Sequence, residues 1–226
     1  MTSAIQSTTP LHIDIVSDIV CPWCYIGKRR LEQALALFAQ QHPEQAAPAL
    51  RWLPFQLNPD MPAQGMSRSD YLLRKFGQAD GGDRYAHVKA EGLKENLPFA
   101  LDRVQRMPNT LKSHALVAAA YEFGVQPQIK EALMHAFFMD GIDMTDDQQL
   151  IAVAQSAGMP AEAANAVLQD TAAHQDIAAQ DAELRRIGIN GVPFFIINRQ
   201  YGISGAQPPE ALLAAMEQAI KEPTSR

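Results

Sequence analysis

Strand and helix patterns alternate near both ends of the chain, and a long block of helical patterns separates them. Four segments have the composition of strands: 11–17, 50–56, 194–198 and 201–204. Pro54 pushes the second of these strands towards a sheet edge. A helical stripe over 31–38 follows the first strand, one helix ends at Gly188, and Pro209 begins the last. This order indicates an α/β fold interrupted by an insertion.

The block between the two ends contains no convincing strand pattern. Apolar residues recur at helical spacing in three stretches: 111–119, 129–137 and 150–157. We therefore predict one discontinuous domain and one helical insertion domain, with these boundaries: 10–58 together with 175–226, and 59–174.

The two cysteines in 226 residues, Cys21 and Cys24, enclose Pro22 and Trp23 at a predicted strand–helix junction. A disulfide that closes so short a loop constrains the unfolded chain weakly, so it would stabilise the fold little. A helix N terminus favours a thiolate at Cys21, and we expect its pKa to lie below the free-cysteine value of about 8.5. Cys24, one turn later, is placed to resolve a mixed disulfide. The pattern predicts thiol–disulfide chemistry.

A metal site is one alternative for a Cys-x-x-Cys pair, and purely structural cysteines are another. Zinc needs about four ligands, but the sequence has no third cysteine and its six histidines lack ligand spacing. We therefore expect no metal. The basic residues Lys28, Arg29 and Arg30 form either an ordinary solvated helix face or a source of positive potential near the pair.

Charge and hydropathy limit the classes of binding partner and the cellular compartment that we expect. The chain has 19 basic and 25 acidic residues and a net charge of −6, which argues against nucleic-acid binding. No apolar run reaches the ~18 residues that a membrane span requires. The first ten residues lack the basic and apolar regions of a secretory signal. We expect a cytoplasmic protein that binds neither nucleic acid nor membrane.

Val192-Pro193 precedes the third strand, where a cis bond would bring backbone groups beside the dithiol to pair with a substrate strand. Together with the Cys-Pro-Trp-Cys turn, this resembles the DsbA-like branch of the thioredoxin superfamily, specifically its FrnE-like oxidoreductase group. Five segments carry the resemblance: DIVCPWCYIGKRRLE (18–32), FQLNP (55–59), PNTLKSH (108–114), GVPFFIIN (191–198) and SGAQP (204–208). The group also resembles 2-hydroxychromene-2-carboxylate isomerases and kappa-class glutathione transferases.

The resemblance implies a thioredoxin fold with an inserted all-helical domain that covers the active-site cleft. It implies that Cys21 is the nucleophile, Cys24 the resolving thiol and Pro193 a cis-proline. The expected substrate-binding residues are Pro22, Trp23, Val192, Pro193, Asn58, Asn109 and His114. Taken alone, Asn109 also suits a helix N-cap, and His114 also suits a half-buried core position.

Two departures limit what the resemblance implies. Many thioredoxins carry a buried carboxylate six positions before the first cysteine, where this chain has Ile15. Asp18 is the nearest acid, and its charge would raise the pKa of Cys21. The isomerase and transferase relatives use a serine at the position of Cys21, so a cysteine there, followed by Cys24, favours dithiol exchange.

The leading hypothesis is a thiol–disulfide oxidoreductase that acts on protein or small-molecule disulfides. It requires no tightly bound cofactor, and glutathione is an optional co-substrate. A glutathione-dependent isomerase or transferase, acting on an aromatic or polyketide-like substrate, is the first alternative. A non-enzymatic module that binds unfolded segments is the second. Both a monomer and a homodimer agree with the sequence.

Overall fold

The computed structural model describes residues 10–80 and 82–222. The strands are β1 (His12–Ser17), β2 (Ala49–Pro54), β3 (Met66–Ser67), β4 (Arg106–Met107), β5 (Phe194–Ile197) and β6 (Tyr201–Ser204). The helices are α1 (Pro22–Gln41), α2 (Arg68–Phe76), α3 (Gly82–Lys94), α4 (Leu111–Ala119), α5 (Gln126–His135), α6 (Asp147–Ser156), α7 (Ala161–Gln169), α8 (Thr171–Arg186) and α9 (Pro209–Lys221). None of these described helices is long and apolar enough to cross a membrane.

The central sheet has the strand order β2-β1-β5-β6. β1 pairs with β2 in parallel, and β5 pairs antiparallel with both β1 and β6. The parallel pair is connected by α1, because parallel neighbours need a crossover. β2 is an edge strand and ends at Pro54, as the sequence predicted. The α/β fold class is thereby confirmed.

Helices cover both faces of the central sheet. Phe195 and Ile197 of β5 are buried in the larger core, which includes residues of α1 and α9. Phe194 and Ile196 point to the other face, where a smaller cluster contains Leu184 of α8. This alternation follows from the two-residue period of a strand and explains why the segment is almost continuously apolar.

The helical block contains one short sheet that the sequence analysis missed. Met66 pairs with Met107, and Ser67 with Arg106, in an antiparallel arrangement. The expectation of no strand in this block was therefore wrong, because a two-residue strand is too short to produce an alternating pattern. The division at residues 174 and 175 stays a prediction; α8 begins at Thr171, just before it.

Basic residues of α1 tie the dithiol helix to the helical block. The buried side chain of Lys28 and that of Arg29 both pair with Glu131 of α5. Arg30 pairs with Glu95, just beyond the end of α3, at 2.7 Å. These cations therefore form neither a freely solvated face nor an unpaired source of charge for the cysteines. They fix α1 against two helices of the insertion.

Candidate active site

The two cysteines lie at the N terminus of α1. Cys21 is the N-cap residue, with extended backbone angles (φ −95°, ψ 111°), and Pro22 takes the first helical position. The Cys24 N–H donates to the Cys21 carbonyl oxygen at 3.0 Å, which closes the first turn. Both thiols are free and buried, with 4% and 1% of the residues exposed. The two thiols thus lie one turn apart at a helix N terminus.

The loop before β5 brings a backbone acceptor to the nucleophile. The Cys21 Sγ lies 3.7 Å from the carbonyl oxygen of Val192, and the thiol donates to it. The Val192–Pro193 peptide bond is cis. Pro193 packs closely on α1 because Gly27 has no side chain: a Cβ there would lie 2.8 Å from the Pro193 Cγ. The segments that precede and follow the helical block therefore meet at Cys21.

A buried polar pair lies next to the dithiol. The Asp18 Oδ1 accepts a hydrogen bond from the His114 Nε2–H at 3.2 Å, and its Oδ2 accepts one from the Leu57 N–H at 2.7 Å. Burial alone would raise the pKa of Asp18, but the interactions with His114, Leu57 and Lys130 lower it below its usual range. Burial lowers the pKa of His114 in spite of the nearby carboxylate. Near pH 7 the pair is therefore an aspartate and a neutral imidazole.

Lys130 of α5 supplies a positive charge to this buried region. Only 1% of the residue is exposed, and its Nζ lies 5.3 Å from the ring centroid of Trp52. Burial lowers the pKa of Lys130 to about 8, against the opposing attraction of Cys24, Asp18 and Cys21, of which Cys24 is the strongest. Lys130 is therefore mostly an ammonium at pH 7 and exchanges its proton just above that pH.

The pKa of Cys21 is raised well above its ordinary value, so the expectation of a lowered value was wrong. The neighbouring thiol of Cys24 is the first cause, burial is the second, and the charge of Asp18 also contributes. The Cys24 N–H at the helix terminus acts in the opposite direction but is outweighed. A helix end lowers a thiol pKa when the thiol is solvated, whereas here the dithiol is enclosed.

A cavity of about 420 Å³ opens beside Cys21. Four residues predicted for the site line it: Cys21, Pro22, Trp23 and Val192. The opposite wall comes largely from α2 and α3, through Tyr71, Lys75, Phe76, Arg84, Tyr85 and His87. An adjoining cavity of about 540 Å³ shares Leu57, Tyr71 and Lys75 with the first. The dithiol therefore faces a pocket whose outer wall belongs to the inserted block.

The other predicted residues lie outside this pocket. Cys24 and Pro193 are buried behind its lining. Asn58 lines the adjoining cavity, with its Nδ2 3.4 Å from the Tyr71 hydroxyl. His114 lines neither of these two cavities and is joined to the dithiol region by its hydrogen bond to Asp18.

Asn109 also lines neither cavity and is occupied by structural hydrogen bonds. Its Oδ1 accepts from the Leu111 N–H at 2.9 Å, and its Nδ2 donates to the Met61 carbonyl at 2.7 Å. The N-cap position of α4 belongs to Thr110, so the N-cap expected at Asn109 is displaced by one residue. Asn109 still satisfies an N–H of the first turn, as an N-cap residue would.

Neither the cationic and aromatic wall nor the buried lysine was predicted from the sequence. The wall had a signal: Lys75-Phe76 and Arg84-Tyr85 repeat a cation–aromatic pair on either side of a glycine-rich loop. Lys130 had none, because it stands beside Ile129 in a stretch that looks like an ordinary amphipathic helix. Within the described ranges, no group of three or more His, Cys, Asp or Glu residues could hold a metal ion.

Known proteins resemble the chain over nearly its whole length. A crystal structure of a probable DsbA oxidoreductase from Streptomyces coelicolor is 34% identical, with a TM-score of 0.83; the match covers 96% of this chain and 92% of that one. The cytosolic disulfide reductase DsbM from Pseudomonas aeruginosa, solved with glutathione, is 17% identical, with a TM-score of 0.67, and the match covers 93% and 100%. A 2-hydroxychromene-2-carboxylate isomerase is 17% identical, with a TM-score of 0.66, and the match covers 93% and 96%. The last two show the fold alone.

The family model described as a DSBA-like thioredoxin domain matches residues 12–217. That range contains the dithiol helix, the inserted block and both strands of the hairpin that follows Pro193. The match agrees with the resemblance carried by the Cys-Pro-Trp-Cys and Gly-Val-Pro segments. The chain belongs to the DsbA-like thioredoxin domain family.

Proposed function

We propose that this protein is a thiol–disulfide oxidoreductase whose reactive couple is Cys21 and Cys24. One observation carries the proposal: two free, buried thiols stand at a helix N terminus, with the Cys21 sulfur 3.7 Å from the Val192 carbonyl and at the edge of a cavity. This arrangement offers a nucleophile, a second thiol one turn away and room for a substrate disulfide.

The reaction consists of two exchanges of sulfur bonds. The Cys21 thiolate attacks one sulfur of the substrate disulfide, forms a mixed disulfide and releases the first substrate thiolate, which takes up a proton. Cys24 then loses its proton and attacks the Cys21 sulfur, which forms the Cys21–Cys24 disulfide and releases the second thiol. The substrate gains two electrons and the protein loses two. A low-molecular-weight thiol such as glutathione returns the couple to the dithiol.

Lys130 and Asp18 control the protons of these steps. The Lys130 ammonium attracts negative charge on the dithiol, and its attraction to Cys24 is stronger than its attraction to Asp18 or Cys21. Asp18 supplies a fixed negative charge that opposes a thiolate at Cys21. His114 and the Leu57 N–H hold the Asp18 carboxylate in place. The Asp18 charge therefore disfavours a thiolate at Cys21, and the Lys130 ammonium opposes this by attracting negative charge on either sulfur.

We assign the couple to disulfide reduction. A thiol with a raised pKa is poorly stabilised as a thiolate in the reduced protein, so the oxidised form is favoured and the dithiol is a strong reductant. We also propose that the protein belongs to the FrnE-like group and is cytoplasmic. In that compartment its substrates would be disulfides formed by oxidation of thiols.

Reduction of a neutral small disulfide, bis(hydroxyethyl) disulfide, tests the proposal with dithiothreitol as the final reductant. The wild-type protein should accelerate the reaction over dithiothreitol alone. Cys21→Ser should abolish the acceleration, and Cys24→Ser should accumulate a mixed disulfide visible by mass spectrometry. Acceleration that survives in Cys21→Ser would refute the assignment of the nucleophile.

A glutathione-dependent isomerase or transferase is the second candidate. The aromatic rings of Trp23, Phe76 and Tyr85 in the cavity favour it, since they suit an aromatic substrate. Titration with glutathione under reducing conditions distinguishes the two functions. Glutathione binding followed by turnover of an aromatic substrate in a Cys24→Ser variant would support the isomerase, because that chemistry needs no resolving thiol.

A further inference from the structure

We propose that the substrate of the dithiol is an anionic low-molecular-weight disulfide, and that Lys75 and Arg84 bind its acidic groups. This inference rests on the proposed function and names its substrate class. Lys75 at the end of α2 and Arg84 in the first turn of α3 both line the cavity that contains Cys21. Neither residue is needed for the sulfur chemistry itself, so their presence calls for a separate explanation.

Aromatic rings hold both cations at the cavity. The Lys75 Nζ lies 5.0 Å from the ring centroid of Tyr71 and 5.8 Å from that of Phe76, and it donates to the Tyr71 hydroxyl at 2.6 Å. The Arg84 Cζ lies 5.0 Å from the centroid of Phe76. Stacking on a ring orients a cation while its N–H groups stay available. The two charges are therefore held in position but remain open to a ligand.

These cations have no carboxylate partner in the part of the chain that the structure describes. No Asp or Glu oxygen within that part lies within 4.0 Å of a nitrogen of Lys75 or Arg84. By contrast, Arg30, Lys89 and Lys94 all pair with acids, although the chain as a whole has a net charge of −6. Unpaired cations at the pocket of an acidic protein indicate an anionic ligand.

The charged side chains that line the cavity are also positive. Lys75 and Arg84 are part of the lining, and none of the described residues in it is an Asp or Glu. The adjoining cavity adds Arg74 and a single acid, Asp60. A pocket with one sign of charge and aromatic walls attracts and retains ligands of the opposite sign.

The size of the cavity favours a small molecule over a protein segment. Its volume of about 420 Å³ lies in the range of small-molecule pockets, roughly 300–1,000 Å³. Trp23 on one side and Tyr85 on the other are part of its lining. A disulfide with a carboxylate or phosphate on a short arm can present a sulfur to Cys21 while its acid reaches Lys75 and Arg84. The thiolate then attacks that sulfur and the other half leaves as an anionic thiol.

Three disulfides of similar length and different charge test the inference: dithiodipropionate is a dianion, bis(hydroxyethyl) disulfide is neutral and cystamine is a dication. Each rate is divided by the rate of dithiothreitol alone, which removes differences in intrinsic reactivity. We expect the wild-type protein to favour the dianion over the dication by roughly tenfold or more, since two charge-assisted contacts are involved. The preference should weaken as salt is added.

The double variant Lys75→Gln/Arg84→Gln should bring the ratio of dianion to dication close to one. Lys89→Gln is the matched control, because Lys89 lies on α3 outside the cavity, and its ratio should equal that of the wild type. An unchanged ratio in the double variant, or equal wild-type rates with all three disulfides, would overturn the charge assignment alone. Wild-type failure on all three would overturn the proposed function as well. If insulin is reduced faster than the three small disulfides, and if that rate depends on Lys75 and Arg84, the substrate would be a protein and not a small molecule.

Discussion

The Nε2–H of His114 donates a hydrogen bond to the Asp18 carboxylate at 3.2 Å, and both side chains are almost completely buried. His114 comes from α4 of the inserted block, whereas Asp18 directly follows β1 of the central sheet. The dithiol is thus adjacent to a charge that is fixed by both parts of the molecule. The buried carboxylate that the sequence lacks at Ile15 is therefore present three residues later, at Asp18.

Asp18→Asn should lower the pKa of Cys21. The negative charge of Asp18 raises that pKa, and asparagine removes the charge. Its oxygen can still accept the Leu57 N–H, and its NH2 can donate to the Nε2 of the other His114 tautomer. The rate of iodoacetamide alkylation against pH should have its midpoint above 8.5 in the wild type and at lower pH in the variant. At pH 7.5 the variant should react faster. Asp14→Asn on β1 is the control, and a midpoint that does not move in Asp18→Asn would contradict this account.

Lys130→Met should slow the second step of the reaction. Without the ammonium, a thiolate formed at Cys24 loses the attraction of Lys130, while methionine keeps the apolar volume against Trp52. In a single turnover the mixed disulfide at Cys21 should persist about ten times longer. A loss of ~1.4 kcal/mol in the stabilisation of the attacking thiolate slows the reaction tenfold.

The pH profile separates this role from a merely structural one. The wild-type resolution rate should change around pH 8, where Lys130 titrates, and Lys130→Met should lack that change. Lys94→Met, on an exposed side chain of α3, should match the wild type in both respects. Equal resolution rates in wild type and Lys130→Met would rule out the proposed role.

Asp181→Ala should destabilise the fold near the end of β2. The buried Asp181 accepts the Gln56 N–H at 3.0 Å and the Arg185 Nε–H at 3.0 Å. Its loss leaves a buried N–H without a partner, at a cost of about 2–3 kcal/mol. For a chain of this size, that should lower Tm by about 5–10 °C. Asp176→Ala, exposed on the same helix, should change Tm very little; a similar loss in both variants would contradict the explanation.

Gly27→Ala should disturb the contact between α1 and the loop before β5. The added Cβ would lie 2.8 Å from the Pro193 Cγ and 3.4 Å from the Phe195 ring. We expect a loss of about 1–3 kcal/mol in the free energy of unfolding, typical of overpacking, together with slower disulfide reduction. Gly191→Ala is the matched control for stability, since no atom within 4 Å would meet its Cβ. A stable and fully active Gly27→Ala protein would show that the contact is unimportant.

The sequence predicted those elements whose patterns are local. The strand before Cys21, the helix after it, edge strand β2 and the hairpin that begins after Pro193 all have clear periodicity, and all were found. What local patterns could not provide was burial. Burial of Cys21, which adds to the effect of Cys24 in raising its pKa, depends on how the helical block packs around α1. Lys130 was invisible for the same reason, because only tertiary packing distinguishes a buried lysine from a surface one.

Lys130 and His114 both belong to the insertion, whereas the thiols and Asp18 belong to the central sheet and its flanking helices. The inserted block therefore completes the charge balance of the reaction in addition to forming a wall of the pocket. A version of this protein trimmed to its central sheet and flanking helices would keep both sulfurs and lose the means to control their protons. Insertion and dithiol are, in this sense, a single chemical unit divided between distant stretches of chain.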